Sequence, residues 1–275
     1  MKKFLFLIII VLACASFSQR ETTWTAIGDS ITYLNDHPDE TGHRVTKGYL
    51  TRVTEQLPHI RYTNQGHNGW TAVRIAKEIE QLGLEKADIY SVFLGTNDWW
   101  AGLPLGTMDD YLGNTGNGTF YGAYRTIINK LRSLNAEADI VLVTPMQRVD
   151  FVYLQNMKNN AWGSYREKNG QSLAQFAAAV KAIGRHEHIK VADLYNRKEI
   201  SLKKLVKFKR LKDTATGDYR NYPYPDFIGV PFDPSADAYP YPREAIDMTY
   251  DGLHPSDKGN EVIAKMLVKI MKKWK

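Results

Sequence analysis

Cysteine is nearly missing: Cys14 is the single one in 275 residues. One thiol cannot close an internal disulfide, so a small cross-linked scaffold is excluded. Past residue 19 no apolar run is long enough to cross a bilayer, so no membrane span is expected. Internal repeats and low-complexity tracts are missing too, which excludes solenoids and long linkers. The seven histidines are His37, His43, His59, His67, His186, His188 and His254, and none stands in HExxH spacing. His186 and His188 read as a surface pair, and neither a metal nor a cofactor is expected. Nucleic acid is not an expected partner: the formal charge is +6, but the basic residues are dispersed. The exception is Lys203, Lys204, Lys207, Lys209, Arg210 and Lys212. That run is expected as a solvated helix face or loop, with attraction of acidic ligands as the alternative.

The N-terminus is the one apolar stretch of note. Lys2 and Lys3 precede Phe4–Leu12, and small residues follow. The pattern over residues 1–19 is that of a secretory signal peptide, with cleavage after Ala15 or Ser18. Its removal takes away Lys2 and Lys3 and lowers the charge to +4. Val11-Leu12-Ala13-Cys14 loosely resembles a bacterial lipobox, so a lipid anchor at Cys14 stands as the alternative to simple removal. Either way the chain is expected to be exported, to a periplasmic or extracellular place.

From residue 20 onward the apolar pattern alternates between two periods. Short runs at Thr22–Ile27, Ile60–Asn64, Ala87–Leu94, Asp139–Val143 and Ile189–Leu194 read as strands. Helical spacing is found over Gly48–Leu57, Ala72–Leu82, Phe120–Leu134, Gln171–Ile183 and Ser256–Lys273. Strands alternating with helices predict a parallel sheet covered on both faces, in one α/β domain over residues 20–275. Tyr33–Lys47, Trp99–Thr119 and Met146–Gly170 read as loop or irregular chain, the second of them passing over the site. Residues 195–250 form an insertion that holds six of the eleven prolines and many aromatics. Rings need something to pack against, so this insertion is expected to be ordered along the core edge, with one or two rings free to line a groove.

Four stretches sit where a strand ends or a helix begins. Gly28-Asp29-Ser30 follows the first strand, Gly69 the second, and Gly95-Thr96-Asn97-Asp98 the third. Asp251-Gly252-Leu253-His254-Pro255 leads into the last helix. The carboxyl ends of parallel strands share one edge, so the first three meet there, and the fourth must be returned by the insertion. Each has a plainer reading: Ser30 as a helix cap, Gly69 as a turn, Asn97 and Asp98 as caps, Asp251-Gly252 as a turn pair. Taken together they suit acyl transfer. Ser30 would be the nucleophile, His254 its base and Asp251 the orienting carboxylate. The backbone N–H groups of Ser30 and Gly69 and the Asn97 amide would form the oxyanion hole.

Gly28-Asp29-Ser30-Ile31, Asn64-x-Gly66-x-x-Gly69-x-Thr71, Gly95-Thr96-Asn97-Asp98 and Asp251-Gly252-Leu253-His254-Pro255 stand in this order over roughly 230 residues. In that pattern the chain resembles the SGNH hydrolases, also called GDSL-like lipases/esterases, with Ile31 where leucine is commoner. The resemblance implies a flavodoxin-like, three-layer α/β/α fold and a metal-independent serine esterase with no cofactor. The Gly-x-Ser-x-Gly elbow of the α/β-hydrolases is absent. Trp99 and Trp100 follow the third block and are expected to line the substrate site, crowding the acyl side and stacking on sugar rings. That favours short acyl groups on a carbohydrate. The rivals are a lipase or thioesterase, a glycan-binding protein on an inactive scaffold, and a flavodoxin-like cofactor binder. The last lacks a glycine-rich phosphate loop.

Overall fold

The computed structural model describes residues 21–274. The expected leader, residues 1–19, and Cys14 within it lie outside the described residues. The chain enters through β1 (Thr22–Gly28) and turns at once into the one-turn helix α1 (Ser30–Tyr33). Next come α2 (Tyr49–Gln56), β2 (Ile60–Gly66), α3 (Ala72–Glu78), β3 (Ile89–Phe93) and α4 (Thr96–Trp100). They are followed by α5 (Met108–Leu112), α6 (Phe120–Leu134) and β4 (Asp139–Val143). A short hairpin of β5 (Phe151–Val152) and β6 (Asn160–Ala161) precedes α7 (Leu173–His186) and β7 (Lys190–Ala192). The insertion carries α8 (Leu202–Leu205) and a second hairpin, β8 (Lys209–Lys212) with β9 (Tyr219–Tyr222). The last helix is α9 (Asp257–Met271).

Five strands make one parallel sheet in the order β2-β1-β3-β4-β7. Alternate residues of each strand point to opposite faces, and here both faces are apolar. Trp24, Ala26, Ile89, Phe93, Val141 and Val143 share one cluster with Val53 of α2 and Ile263 and Leu267 of α9. Ile27, Tyr90, Val92, Ile140 and Leu142 share the other with Ile75 of α3, Ile127 of α6 and Val180 of α7. The result is a three-layer α/β/α fold. Strand order reverses next to β1, so the crevice between the ends of β1 and β3 is the natural ligand site. Gly28 pairs with both Gly66 and Phe93, which brings the ends of β2, β1 and β3 level.

The departures from the sequence reading are local. Trp99–Thr119 contains the end of α4 and all of α5. Met146–Gly170 contains the β5–β6 hairpin, too short to leave a periodic signal. The basic run is not wholly solvated. Lys203, Lys204 and Lys207 are exposed, but Lys209 is only 4% exposed and its Nζ lies 3.0 Å from Asp150 Oδ2. Arg210 pairs with Glu244 and Lys212 with Asp237.

The insertion is ordered by its rings. Phe227 and Tyr241 are fully buried, and Tyr222, Tyr224, Phe232 and Tyr239 pack on the α2–α9 side of the core. Tyr241 donates its hydroxyl to the Asp150 carbonyl, and Tyr239 donates to Val152 O at 2.9 Å. The insertion is thereby pinned to the strand that borders the crevice. Among the described residues no helix is long and apolar enough to cross a membrane.

Candidate active site

Ser30 is the first residue of α1. The cap is its neighbour: the Asp29 side chain accepts from Ile31 N at 3.0 Å, so Ser30 is not the capping residue. With that duty met by Asp29, the Ser30 hydroxyl is left to face outward. It meets His254, whose Nε2 stands 2.9 Å from Ser30 Oγ. On its other side the imidazole Nδ1 stands 2.6 Å from Asp251 Oδ2. A carboxylate only accepts, so Nδ1 carries the ring proton and Nε2 accepts from the serine hydroxyl. The residues 30 and 254, at opposite ends of the fold in sequence, thus share one hydrogen-bonded relay with Asp251.

The turn that holds the relay is built from within. Asp251 is fully buried, and its Oδ1 accepts from Leu253 N at 3.0 Å and His254 N at 2.7 Å. Gly252 has φ +92°, and a Cβ there would lie 2.0 Å from the Asp150 carbonyl oxygen, so only glycine fits. Val149 N donates to Gly252 O and Val152 N to Asp251 O, at 3.0 and 3.2 Å. The segment on which the insertion is pinned therefore grips the turn that aims His254. The imidazole itself is 6% exposed, edge-on to Phe151 and stacked near Tyr250.

Two further loops reach the same cavity, which has a volume of about 430 Å³ and is lined by Ser30, Gly69, Asn97 and His254 among others. Gly69 has φ +73° and turns the chain after β2 toward Ser30. Asn97 donates from Nδ2 to Trp70 O at 3.0 Å, which fixes the amide and leaves its second hydrogen for another acceptor. Asp98 is fully buried and accepts from Ala72 N and Val73 N at 2.9 and 3.3 Å. It takes the first two N–H groups of α3, whose cap is Thr71, and ties the start of that helix to the Asn97 loop. Burial pushes its carboxyl up to about 7, against the pull of those two N–H groups. Burial likewise raises Asp29 to about 6.

The two tryptophans part company. Trp100 lines the cavity. Trp99 does not: it is fully buried among the α6–α7 residues and its indole N–H donates to Gln171 O at 3.0 Å. Successive helical residues point about 100° apart, so only one of the pair can face the crevice. The insertion's rings are absent from the cavity lining among the described residues. In their place the β5–β6 hairpin supplies Phe151 and Ala161, with Tyr153 and Asn159 between the strands. Arg148, just before that hairpin, also lines the cavity, though it is 2% exposed. Nothing in the sequence marks it, since a lone arginine in an irregular stretch has no pattern to join. Among the described residues no group of three or more His, Cys, Asp or Glu converges as a cation site.

Comparisons with known proteins identify the family. The model of the GDSL-like lipase/acylhydrolase family matches residues 26–262. A possible lipase from Chitinophaga pinensis is 60% identical and superposes with a TM-score of 0.91, covering 92% of this chain and 98% of that one. A lipase/acylhydrolase from Enterococcus faecalis is 16% identical, covers 92% and 96%, and gives a TM-score of 0.53. A variant of an acetyl-xylooligosaccharide esterase from Geobacillus is 19% identical, covers 90% and 93%, and gives 0.50. The last two share the fold. A search of curated proteins found no match. With the four blocks in place and the family model matched across most of its length, the chain belongs to the GDSL-like lipase/acylhydrolase family of ester-hydrolysing enzymes.

Proposed function

We propose that this protein is an exported serine carboxylesterase that removes short acyl groups, acetyl above all, from carbohydrate. Ser30 is the nucleophile, His254 the general base and acid, and Asp251 the carboxylate that holds the imidazole. The observation that carries this reading is the relay of 2.9 and 2.6 Å through His254 at the wall of the cavity. Distances of this size fit proton transfer without rearrangement.

The chemistry then runs in two halves. Ser30 Oγ attacks the ester carbonyl carbon as its proton moves to His254 Nε2, and the carbonyl π electrons collect on oxygen. That oxyanion is met by the N–H groups of Ser30 and Gly69 and the free amide hydrogen of Asn97. Collapse breaks the bond between the acyl carbon and the alcohol's oxygen, and the alcohol leaves with the proton from Nε2. Water repeats the attack on the acyl-serine, with Nε2 again taking the proton; the bond from the acyl carbon to Ser30 Oγ then breaks, Oγ takes that proton back, and the acid departs. Asp251 holds the imidazolium throughout without taking its proton.

Export rests on the pattern of Lys2, Lys3 and Phe4–Leu12, and an anchor at Cys14 is its variant form. The carbohydrate reading rests on Trp100 at the cavity, a flat face for a sugar ring. Leu34, Phe151 and Leu253 also line it and favour a second reading, a longer acyl chain as in a lipase or thioesterase. An inactive glycan binder would have no use for the intact relay.

Rates on p-nitrophenyl acetate, p-nitrophenyl octanoate and acetylated sugars decide among these. Cleavage by the wild type should fall at least about 10⁴-fold in Ser30→Ala. Unchanged cleavage in that variant removes Ser30 as nucleophile, and a clear preference for octanoate overturns the short-acyl reading.

A further inference from the structure

Arg148 is a buried cation in the cavity wall that makes no direct ion pair among the described residues. Asp150 and Asp251 attract it through space, but their oxygens are hydrogen-bonded to other groups. Asp150 takes Lys209 Nζ at 3.0 Å, the Tyr165 hydroxyl and Gly163 N, and Asp251 takes His254. Of the five N–H bonds of the guanidinium, one has a protein acceptor, from Nη2 to Trp162 O at 2.8 Å. Nε is buried without a partner among the described residues.

The ring faces around it hold a cation in place but do not cancel its charge. The guanidinium carbon lies 5.0 Å from the Trp99 centroid and 4.7 Å from that of Trp100. Lys168 Nζ lies 4.6 Å from Trp100 and 4.8 Å from Trp162, and it too has no ion pair among the described residues. Two cations therefore share the one tryptophan that faces the substrate. A structural arginine this deep is ordinarily satisfied by carboxylate or carbonyl oxygens, because a buried unpaired donor is costly. A planar fork of free N–H donors beside an ester-cleaving site is complementary to a carboxylate.

We propose that Arg148 is a specificity-determining anion site in this cavity, with Lys168 adding positive charge from beside Trp100 outside the lining, and that the esterified substrate carries a carboxylate, as in an acetylated uronic-acid sugar. This rests on the esterase reading, and it names the part of the substrate that reading leaves open. An acetyl group has no room for a charge, so the carboxylate belongs to the alcohol half, the sugar that leaves.

Two arms test it separately. In the first, the wild type is compared on the acetylated methyl glycosides of glucose and of glucuronic acid. The acidic sugar should be favoured in kcat/KM by at least about tenfold, the scale of one charge-assisted hydrogen bond. The preference should shrink with added salt. Arg148→Met should bring the ratio of the two sugars near one, Arg148→Lys should keep part of it, and Lys168→Met should lower it. The second arm needs no turnover: glucuronate should bind to Ser30→Ala more tightly than glucose does, by calorimetry or ligand-detected NMR. No preference in the wild type, or an equal loss on both sugars in Arg148→Met, overturns the anion site while the esterase reading stands. Selective glucuronate binding with no cleavage of any ester upholds the site and overturns the esterase.

Discussion

At Asn97 two demands meet in one side chain. One amide hydrogen is spent on Trp70 O, at 3.0 Å, and the other is available to an oxyanion. Asn97→Ala should therefore lower kcat by about 10²–10³, with a smaller change in KM, because the lost bond exists chiefly in the transition state. Steady-state kinetics on an acetyl ester check this, and a rise in KM at constant kcat would remove Asn97 from the oxyanion hole. The relay residues were readable because nucleophile, base and carboxylate each stand at a chain reversal, where glycine and proline punctuate the sequence. The direction of a side chain was not. Trp99 and Trp100 are adjacent letters, and the phase of α4, one short turn and a half, decides which is buried. Arg148 was unreadable for a different reason: its meaning comes from Trp99, Trp100 and Trp162, which reach it only once the chain is folded.

Elements were legible in proportion to their apolar periodicity. β3 and β4 read as strands because their residues are apolar on both faces, and α6 and α9 because one stripe repeats. The β8–β9 hairpin, Lys-Arg-Leu-Lys against Tyr-Arg-Asn-Tyr, offers no such stripe. Its place is set instead by side chains that cross to β5. Lys209, hidden in a basic run, makes a buried ion pair with Asp150, and Asp150 adjoins the segment that grips Asp251 and Gly252. Lys209→Met leaves that carboxylate short of its cation and should cost about 3–5 kcal/mol. Because the strain falls on the turn that aims His254, kcat should drop before the fold is lost. Urea unfolding together with kcat measured well below the transition checks both. A stability loss with kcat intact would mean that the insertion stabilises the fold without steering the imidazole. α9 supplies the contrast: Leu267 is fully buried far from the cavity lining, so Leu267→Ala should cost about 2–5 kcal/mol and leave kcat unchanged at low temperature.

For the whole molecule, the two acids beneath the crevice set a conflict between stability and activity. Asp29 is raised from 3.8 to about 6 and Asp98 from 3.8 to about 7, both chiefly by burial. In the unfolded chain both release their protons near pH 4, whereas the native protein keeps them to pH 6 or 7. Across that window the native state binds more protons than the unfolded state, so stability falls as pH rises and levels off above about 7. The combined effect is on the order of 5 kcal/mol, reduced by coupling, since Asp29 is itself one of the charges that raise Asp98. Asp257, Glu187 and Asp193 act in the opposite sense. Against the effect of burial, their carboxyls are held below the usual range by Thr46 and then Arg52, by Tyr111 and Arg132, and by Lys181, so what they contribute is lost as pH falls below about 4. Stability should then be greatest near pH 4 and fall most steeply between about pH 4 and 6. Activity should run the other way, because His254 accepts a proton only as the neutral imidazole, so kcat/KM rises from the acid side. Urea midpoints at pH 5 and pH 7.5, taken beside kcat/KM at the same values, measure both trends on one sample. A midpoint that climbs with pH across this interval would mean that Asp29 and Asp98 are charged in the native protein at pH 5.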